Sequence, residues 1–319
     1  MAMGFSNRSS LQNLNFTDFL VRETDNPDEI DPEKDDRQNW GGDLFKYNYH
    51  VTGYDPISGT ERKIYPSREF MKTQLAHWID FYHIDGVRMD SIKTIKNWDF
   101  IGEFSEKGRD LWRKRCNEQN IPEKSADARF LVVGEILDDE QELDLMVQKR
   151  ADGVWNESFK RRIRSAILGS SLNEDNFEDL VRKMIDCRII GYTDISQVVN
   201  YLGSHDVEGF RNERLYDFLE NNGIVFKEER IKLAFACLLT AVGIPMILAG
   251  DEFADKHDLK AVHPEKQMDA VNFERLSIPW RKRIFDYVAR LVKFRTSHPA
   301  LGMNDTDFIH ADLNKKKRV

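Results

Sequence analysis

The stretch His83-Ile84-Asp85-Gly86-Val87-Arg88-Met89-Asp90 decides how this chain is read. Before it, from Pro66, Met71, Leu75, Trp78 and Tyr82 recur at helical spacing, and the pattern stops just short of His83. The stretch itself is a short apolar run that ends on a carboxylate. Helix, then buried strand, then an acid at the strand end is the reading. The same unit returns downstream. Helix-compatible sequence from Trp98 to about Asn120 leads to Phe130-Leu131-Val132-Val133-Gly134-Glu135, a run of the length expected for a strand covered on both faces. Gly153-Val154-Trp155-Asn156 is a shorter third strand, and the segment from Ser196 to Leu202 a fourth. Glu229 to Val242 reads as a largely apolar helix, and Ile244 to Gly250 as a fifth strand. Pro279, suited to a first helical turn, opens a final amphipathic helix through Ile284, Val288, Leu291 and Arg295.

Strands alternating with helices predict a parallel sheet. Asp90, Glu135, Asp206 and Asp251-Glu252 all fall at or just after strand C-termini, the edge where barrels and open sheets both gather ligands. No Gly-x-Gly-x-x-Gly or Walker-type loop follows any strand, which removes the commonest reason for an open nucleotide-binding sheet. The expected class is therefore α/β, of the (β/α)8 barrel type. The 319 residues, 40% hydrophobic and 32% charged, allow two domains and suit one large barrel equally. A net charge of −8 argues against nucleic acid, and no apolar run is long enough to cross a bilayer. Cys116, Cys187 and Cys237 show no metal-binding spacing and read as thiols in a reducing compartment. The expected location is the cytoplasm, or outside the cell if a signal peptide lies beyond this chain.

Three carboxylates delivered from three strand ends supply what acetal cleavage requires. In a retaining glycosidase one carboxylate attacks the anomeric carbon while a protonated partner gives its proton to the leaving oxygen. Repulsion between neighbouring carboxylates keeps one of them protonated, and a cation beside the other keeps it ionised. Asp90 and Glu135 could form that pair, with Arg88, two residues before Asp90 and on the same side of its strand, as the cation. Asp206, preceded by His205, could hold sugar hydroxyls and favour positive charge at the ring.

These strings resemble those of a known family. Asp85-Gly86-Val87-Arg88-Met89-Asp90 resembles the strand-four motif of the α-amylase family of glycoside hydrolases, family 13. Gly134-Glu135-Ile136-Leu137-Asp138 is similar to its strand-five motif, and Asn200-Tyr201-Leu202-Gly203-Ser204-His205-Asp206 to its strand-seven motif, all in family order. Gly243-Ile244-Pro245 through Gly250-Asp251-Glu252 is similar to the eighth strand. The similarity runs from about residue 40 to residue 303. It implies that Asp90 is the nucleophile, Glu135 the general acid/base and Asp206 the transition-state stabiliser, with Arg88 and His205 in the sugar site. Lys93 matches a position where many α-1,4-acting members carry Lys followed by His, although Thr94 follows here. The segment Trp40 to Tyr49 resembles the stretch preceding strand four in pullulanase-like and branching-type relatives. Trp40 and Tyr47 there could stack on glucose or pin a loop. Trp98, Trp112 and Trp155 read as packing residues.

The resemblance is partial. The family's strand-three motif, Asp-x-x-x-Asn-His, is not found, and with it goes a residue that commonly binds calcium, so calcium stays open and no metal ligand is named. Only strands four to eight are recognisable, so the barrel is expected to be incomplete. The expected organisation is a loop-rich segment over residues 1–65, with apolar positions too scattered for strand or helix, a catalytic barrel region over 66–303, and a tail or the start of a further β-domain over 304–319. An incomplete barrel exposes sheet edges, which the rest of a longer enzyme, oligomerisation or a repacked N-terminal segment would cover. The expected function is a retaining hydrolase of α-1,4 or α-1,6 bonds in starch, glycogen or pullulan, with an α-glucan as the partner and neither nucleic acid nor membrane. A glucan transferase or branching enzyme, and a catalytically silent glucan-binding fragment, are the alternatives.

Overall fold

The alternation of strand and helix is present in a computed structural model, which describes residues 5–6, 43–92, 97–125, 128–136, 150–172, 174, 176–206, 213–258, 270–304 and 307. The chain divides into two compact units, Met1–Val154 and Trp155–Val319.

In the first unit β1 (Phe5–Ser6) pairs antiparallel with β2 (Asp43–Leu44), and β3 (Val51–Asp55) forms a hairpin with β4 (Thr60–Ile64). These pairings add short strands to residues 1–65, read from the sequence as loop-rich with none assignable. The hairpin's side chains are mostly exposed on both faces, so no face had to be apolar and the period-two signal of a half-buried strand is missing. Helix α1 (Pro66–Tyr82) starts on a proline, whose missing N–H costs nothing in a first turn, and ends at His83 in the left-handed conformation. Its buried row is Ser67, Met71, Leu75 and Ile79. Each four-residue step advances about 40° around the helix, which carries burial away from Trp78 and Tyr82 in the last turns. Those two are 45% and 55% exposed and pack on each other, with ring centroids 4.6 Å apart. Strands β5 (Gly86–Met89), β6 (Leu131–Gly134) and β7 (Gly153–Trp155) run parallel, with Met89 opposite Gly134 and Gly134 opposite Val154. Leu131 is 53% exposed, so the run read as covered on both faces is open at that residue, between the buried Phe130 and Val132. Helix α2 (Trp98–Glu118) joins β5 to β6 and packs on α1. Phe100, Phe104 and Trp112 bury its inner face. The buried Arg68 ties these helices to the preceding loop. It donates to the Tyr47 carbonyl at 2.6 Å, to Asp99 at 2.7 Å and to Glu103 at 2.6 Å.

In the second unit the amide of Asn156, just past β7, donates to the Val199 carbonyl of β8 (Val198–Tyr201) at 2.9 Å. β8 pairs parallel with β9 (Ile244–Met246), Asn200 lying opposite Pro245. Helices α3 (Glu157–Leu168), α4 (Phe177–Ile185), α5 (Leu215–Asn221), α6 (Lys227–Thr240) and α7 (Pro279–Ser297) enclose an apolar core that includes Phe159, Ile163, Leu180, Phe235, Leu238 and Ile284. Asn156 caps α3 by accepting from the Phe159 amide at 2.9 Å. Its Nδ2 donates to Asn200 Oδ1 at 2.8 Å, and Asn200 Nδ2 donates to the Val242 carbonyl at 3.2 Å. Arg295 of α7 donates to the carbonyl of Leu239 in the last turn of α6 and to those of Ala241 and Gly243 in the chain that leaves it. Among the described residues five parallel strands alternate with helices, the arrangement of a (β/α) barrel. Among the described residues no helix is long and apolar enough to cross a membrane.

Candidate active site

Two strand ends of the first unit meet through one arginine. Met89 and Gly134 are register partners, so the residues that follow them, Asp90 and Glu135, emerge side by side from adjacent parallel strands. Arg88 pairs with both. Its Nη1 donates to Asp90 Oδ1, and its Nη2 lies 2.7 Å from Glu135 Oε2. Glu135 is 5% exposed, whereas about a third of the Asp90 side chain is open to solvent. The Ser91 amide donates to Glu135 Oε2 at 3.0 Å. The main chain closes around the pair, Glu135 N donating to the Met89 carbonyl at 2.9 Å and Ile92 N to the Glu135 carbonyl at 3.0 Å. Ser91 aims its amide this way from a left-handed φ of 51°, a conformation that costs a non-glycine residue about 1–2 kcal/mol. Sequence reasoning missed Ser91, because nothing in a serine announces a positive φ.

Chemically, an accessible carboxylate stands beside a buried carboxyl whose orientation is fixed by an arginine and a backbone amide. Arg88 can neutralise whichever of the two carries charge. That is what an acid/base partner and a nucleophile require of their shared cation.

In the second unit β8 ends at the buried Tyr201, and the exit Leu202–Ser204 is buried as well. His205 and Asp206 then emerge to solvent, His205 Nε2 lying 3.4 Å from Asp206 Oδ1. The edge of His205 meets Trp155 at 5.9 Å between ring centroids. Asp206 Oδ2 is buried and has no hydrogen-bond partner among the described residues. Behind this exit lies Asp251, 1% exposed, which stands 3.8 Å from Arg214 Nη1. Burial pushes its carboxyl up to about 7, against the pull of Arg214 and Arg164.

Tyr47 is buried, stacked on Phe100 at 4.3 Å between centroids. Its ring pins the loop, the second of the two roles open to it, and is not presented to a sugar. Trp112 and Trp155 are buried in packing. Trp40 and Lys93 lie outside the described residues. Among the described residues no three His, Cys, Asp or Glu side chains come together to hold a metal ion.

The sequence profile of the alpha-amylase catalytic domain matches residues 62–282, more than half of the chain. The chain belongs to the α-amylase family. Among curated relatives, a pullulanase of Bacillus subtilis (strain 168) is 24% identical over 288 residues, covering 82% of this chain and 36% of its own length. The chain thus spans about a third of that relative. Among solved structures, the α-amylase of Geobacillus thermoleovorans complexed with acarbose superposes with a TM-score of 0.62 at 17% identity, covering 98% of this chain and 60% of that one. The type I pullulanase of Bacillus subtilis str. 168 complexed with maltose gives 0.59 at 19% identity, over 83% of this chain and 35% of that one. These neighbours share the amylase-type barrel fold. The family-matched region contains Arg88, Asp90, Glu135, His205 and Asp206.

Proposed function

We propose that the chain cleaves α-glucosidic bonds of starch, glycogen or pullulan-type glucans by double displacement. The observation that carries this reading is the Arg88 bridge between Asp90 and Glu135 at adjacent strand ends. Asp90, the more accessible carboxylate, attacks the anomeric carbon while Glu135 gives its proton to the glycosidic oxygen, and the carbon–oxygen bond to the leaving chain breaks. Glu135, now a carboxylate, takes a proton from water. The water oxygen bonds to the anomeric carbon, Asp90 leaves as a carboxylate, and Glu135 is again protonated. By their place in the family strings, Asp206 is assigned to favour the positive charge that develops at the ring and His205 to bind sugar hydroxyls. Trp40 and Lys93 are further sugar contacts by their place in the family strings. The neighbours solved with acarbose and with maltose support an α-glucan as the ligand.

The test is reducing-sugar release from a linear malto-oligosaccharide and from pullulan, with products separated by size. Wild type is run beside Asp90→Asn and Glu135→Gln. Both variants should lose release, and the preferred substrate assigns the linkage. Products longer than the substrate would mean that a sugar hydroxyl, not water, resolves the intermediate. Near-normal release by Asp90→Asn removes the mechanism. Glucan retention without release by a folded wild type would leave a binding fragment.

A further inference from the structure

Arg164 stands on α3, outside every string that carries the family resemblance, yet its contacts converge on the exit of β8. Its Nε donates to the Leu202 carbonyl at 3.0 Å. Its Nη1 donates to Glu213 at 2.6 Å, and its guanidinium carbon lies 4.7 Å from the centre of the Phe218 ring. A Cβ built on Gly203 would stand 3.7 Å from Arg164 Nη2 and 3.3 Å from Asp251 Oδ2. The backbone at Gly203 therefore runs between a buried cation and a buried carboxyl group. Ser204, the next residue, is buried too, and only then does the chain release His205 and Asp206.

We propose that Arg164 is a positioning residue, which clamps Leu202–Gly203 and so sets the place of the His205–Asp206 pair for turnover. The proposal rests on the glycosidase reading for its kinetic arm. Asp206 follows Gly203 by three residues, so it stands within about 10 Å of the clamped point. A shift of the clamp is passed on with little room to dissipate, and a misplacement of about 1 Å at reacting groups costs about 10²-fold in rate. The role needs an arginine. A planar fork can hold a carbonyl, a carboxylate and a ring face together, whereas a lysine ammonium is a point charge on a flexible stem.

The first arm is kinetic, on a malto-oligosaccharide cleaved by the wild type. Arg164→Lys should lower kcat by about 10- to 100-fold with KM moved less than about threefold, at a melting temperature that shows the protein folded. Asp206→Asn should then cost much less in the Arg164→Lys background than alone, because both changes act on one group. A structural role without positioning predicts unchanged kcat or multiplicative effects, and either overturns the proposal. Loss of no activity in Asp206→Asn alone would instead remove the assigned role of Asp206. The second arm needs no turnover. Amide hydrogen exchange across residues 200–206 should quicken in Arg164→Lys while the α6 amides keep their protection, and unchanged exchange at 200–206 overturns the clamp. If Arg164→Lys does not fold, Glu213→Gln, which weakens the grip on Nη1, is put through both arms with smaller effects expected.

Discussion

Replacing Asp251 by Asn should make the protein's stability less dependent on pH, and the size of the change follows from burial. The carboxyl is fully enclosed, and its environment pushes it from 3.8 to about 7, desolvation outweighing Arg214, Arg164 and the Leu215 amide. Between these two values the folded state holds a proton that the unfolded chain has released. Stability contributed at Asp251 is therefore fully present only below about pH 4 and is lost as pH rises towards 7. A shift of about three pKa units, at 1.36 kcal/mol each, gives a loss of about 4 kcal/mol in all. Roughly 2.5 kcal/mol of it falls between pH 5 and pH 8. Asn has nearly the same shape and stays neutral throughout. Urea unfolding of both proteins at pH 5, 6, 7 and 8, followed by tryptophan fluorescence, measures the difference. The variant should gain on the wild type by about 2.5 kcal/mol across that range, about 1 M in urea midpoint at an m of 2–3 kcal/mol/M. A gap that does not move with pH would refute the reasoning. So would a variant several kcal/mol less stable at pH 8, since Arg214 and Arg164 would then hold the carboxylate ionised at a net gain.

Three further outcomes are expected. Phe235→Ala, at a side chain with no exposed surface in the second unit's core, should cost about 3–5 kcal/mol in urea unfolding. Gly243→Ala places a Cβ 2.3 Å from Asn200 Nδ2 on a backbone with φ +141°, so backbone strain and a displaced buried amide should together cost about 3 kcal/mol by the same measurement. Asn156→Ala removes the α3 cap and a hydrogen-bond partner of the buried Asn200, and should lower stability by about 2–4 kcal/mol, read as a drop in melting temperature.

The strands and long helices were legible because burial wrote itself into apolar runs. Phe130 to Gly134 and Ile284, Val288 and Leu291 could be placed from spacing alone. The β3–β4 hairpin was not legible, since water faces both of its sides and no alternation is needed. Burial on α1 follows Ser67 and Ile79 rather than Trp78 and Tyr82, because the side a helix presents at its end depends on where its neighbour stops. Of the expected site residues, Asp90, Glu135, Asp206, Arg88 and His205 are named by short strings. The pairing of Arg88 with Asp90 was legible too, because residues two apart on a strand share a side, but its reach to Glu135 on the next strand was not. What spacing does not encode is long-range partnership. Arg164 meets Leu202 across 38 residues, and a positive φ at Ser91 turns an amide towards Glu135 across 44.

The line of buried amides from Asn156 through Asn200 to the Val242 carbonyl also acts as a key for strand alignment. Valine and isoleucine side chains are nearly interchangeable partners, so apolar contact alone tolerates a strand that pairs one residue out of step. An amide does not. Sliding β8 by one residue would bring Val199 or Tyr201 to the place of Asn200, and Asn156 Nδ2 would lose its acceptor in a dry interior, at a cost of about 1–3 kcal/mol for each polar group stranded. The polar line thus buys uniqueness. It penalises the misaligned sheet far more than it stabilises the aligned one, and it does so two residues before the backbone that leads to His205 and Asp206.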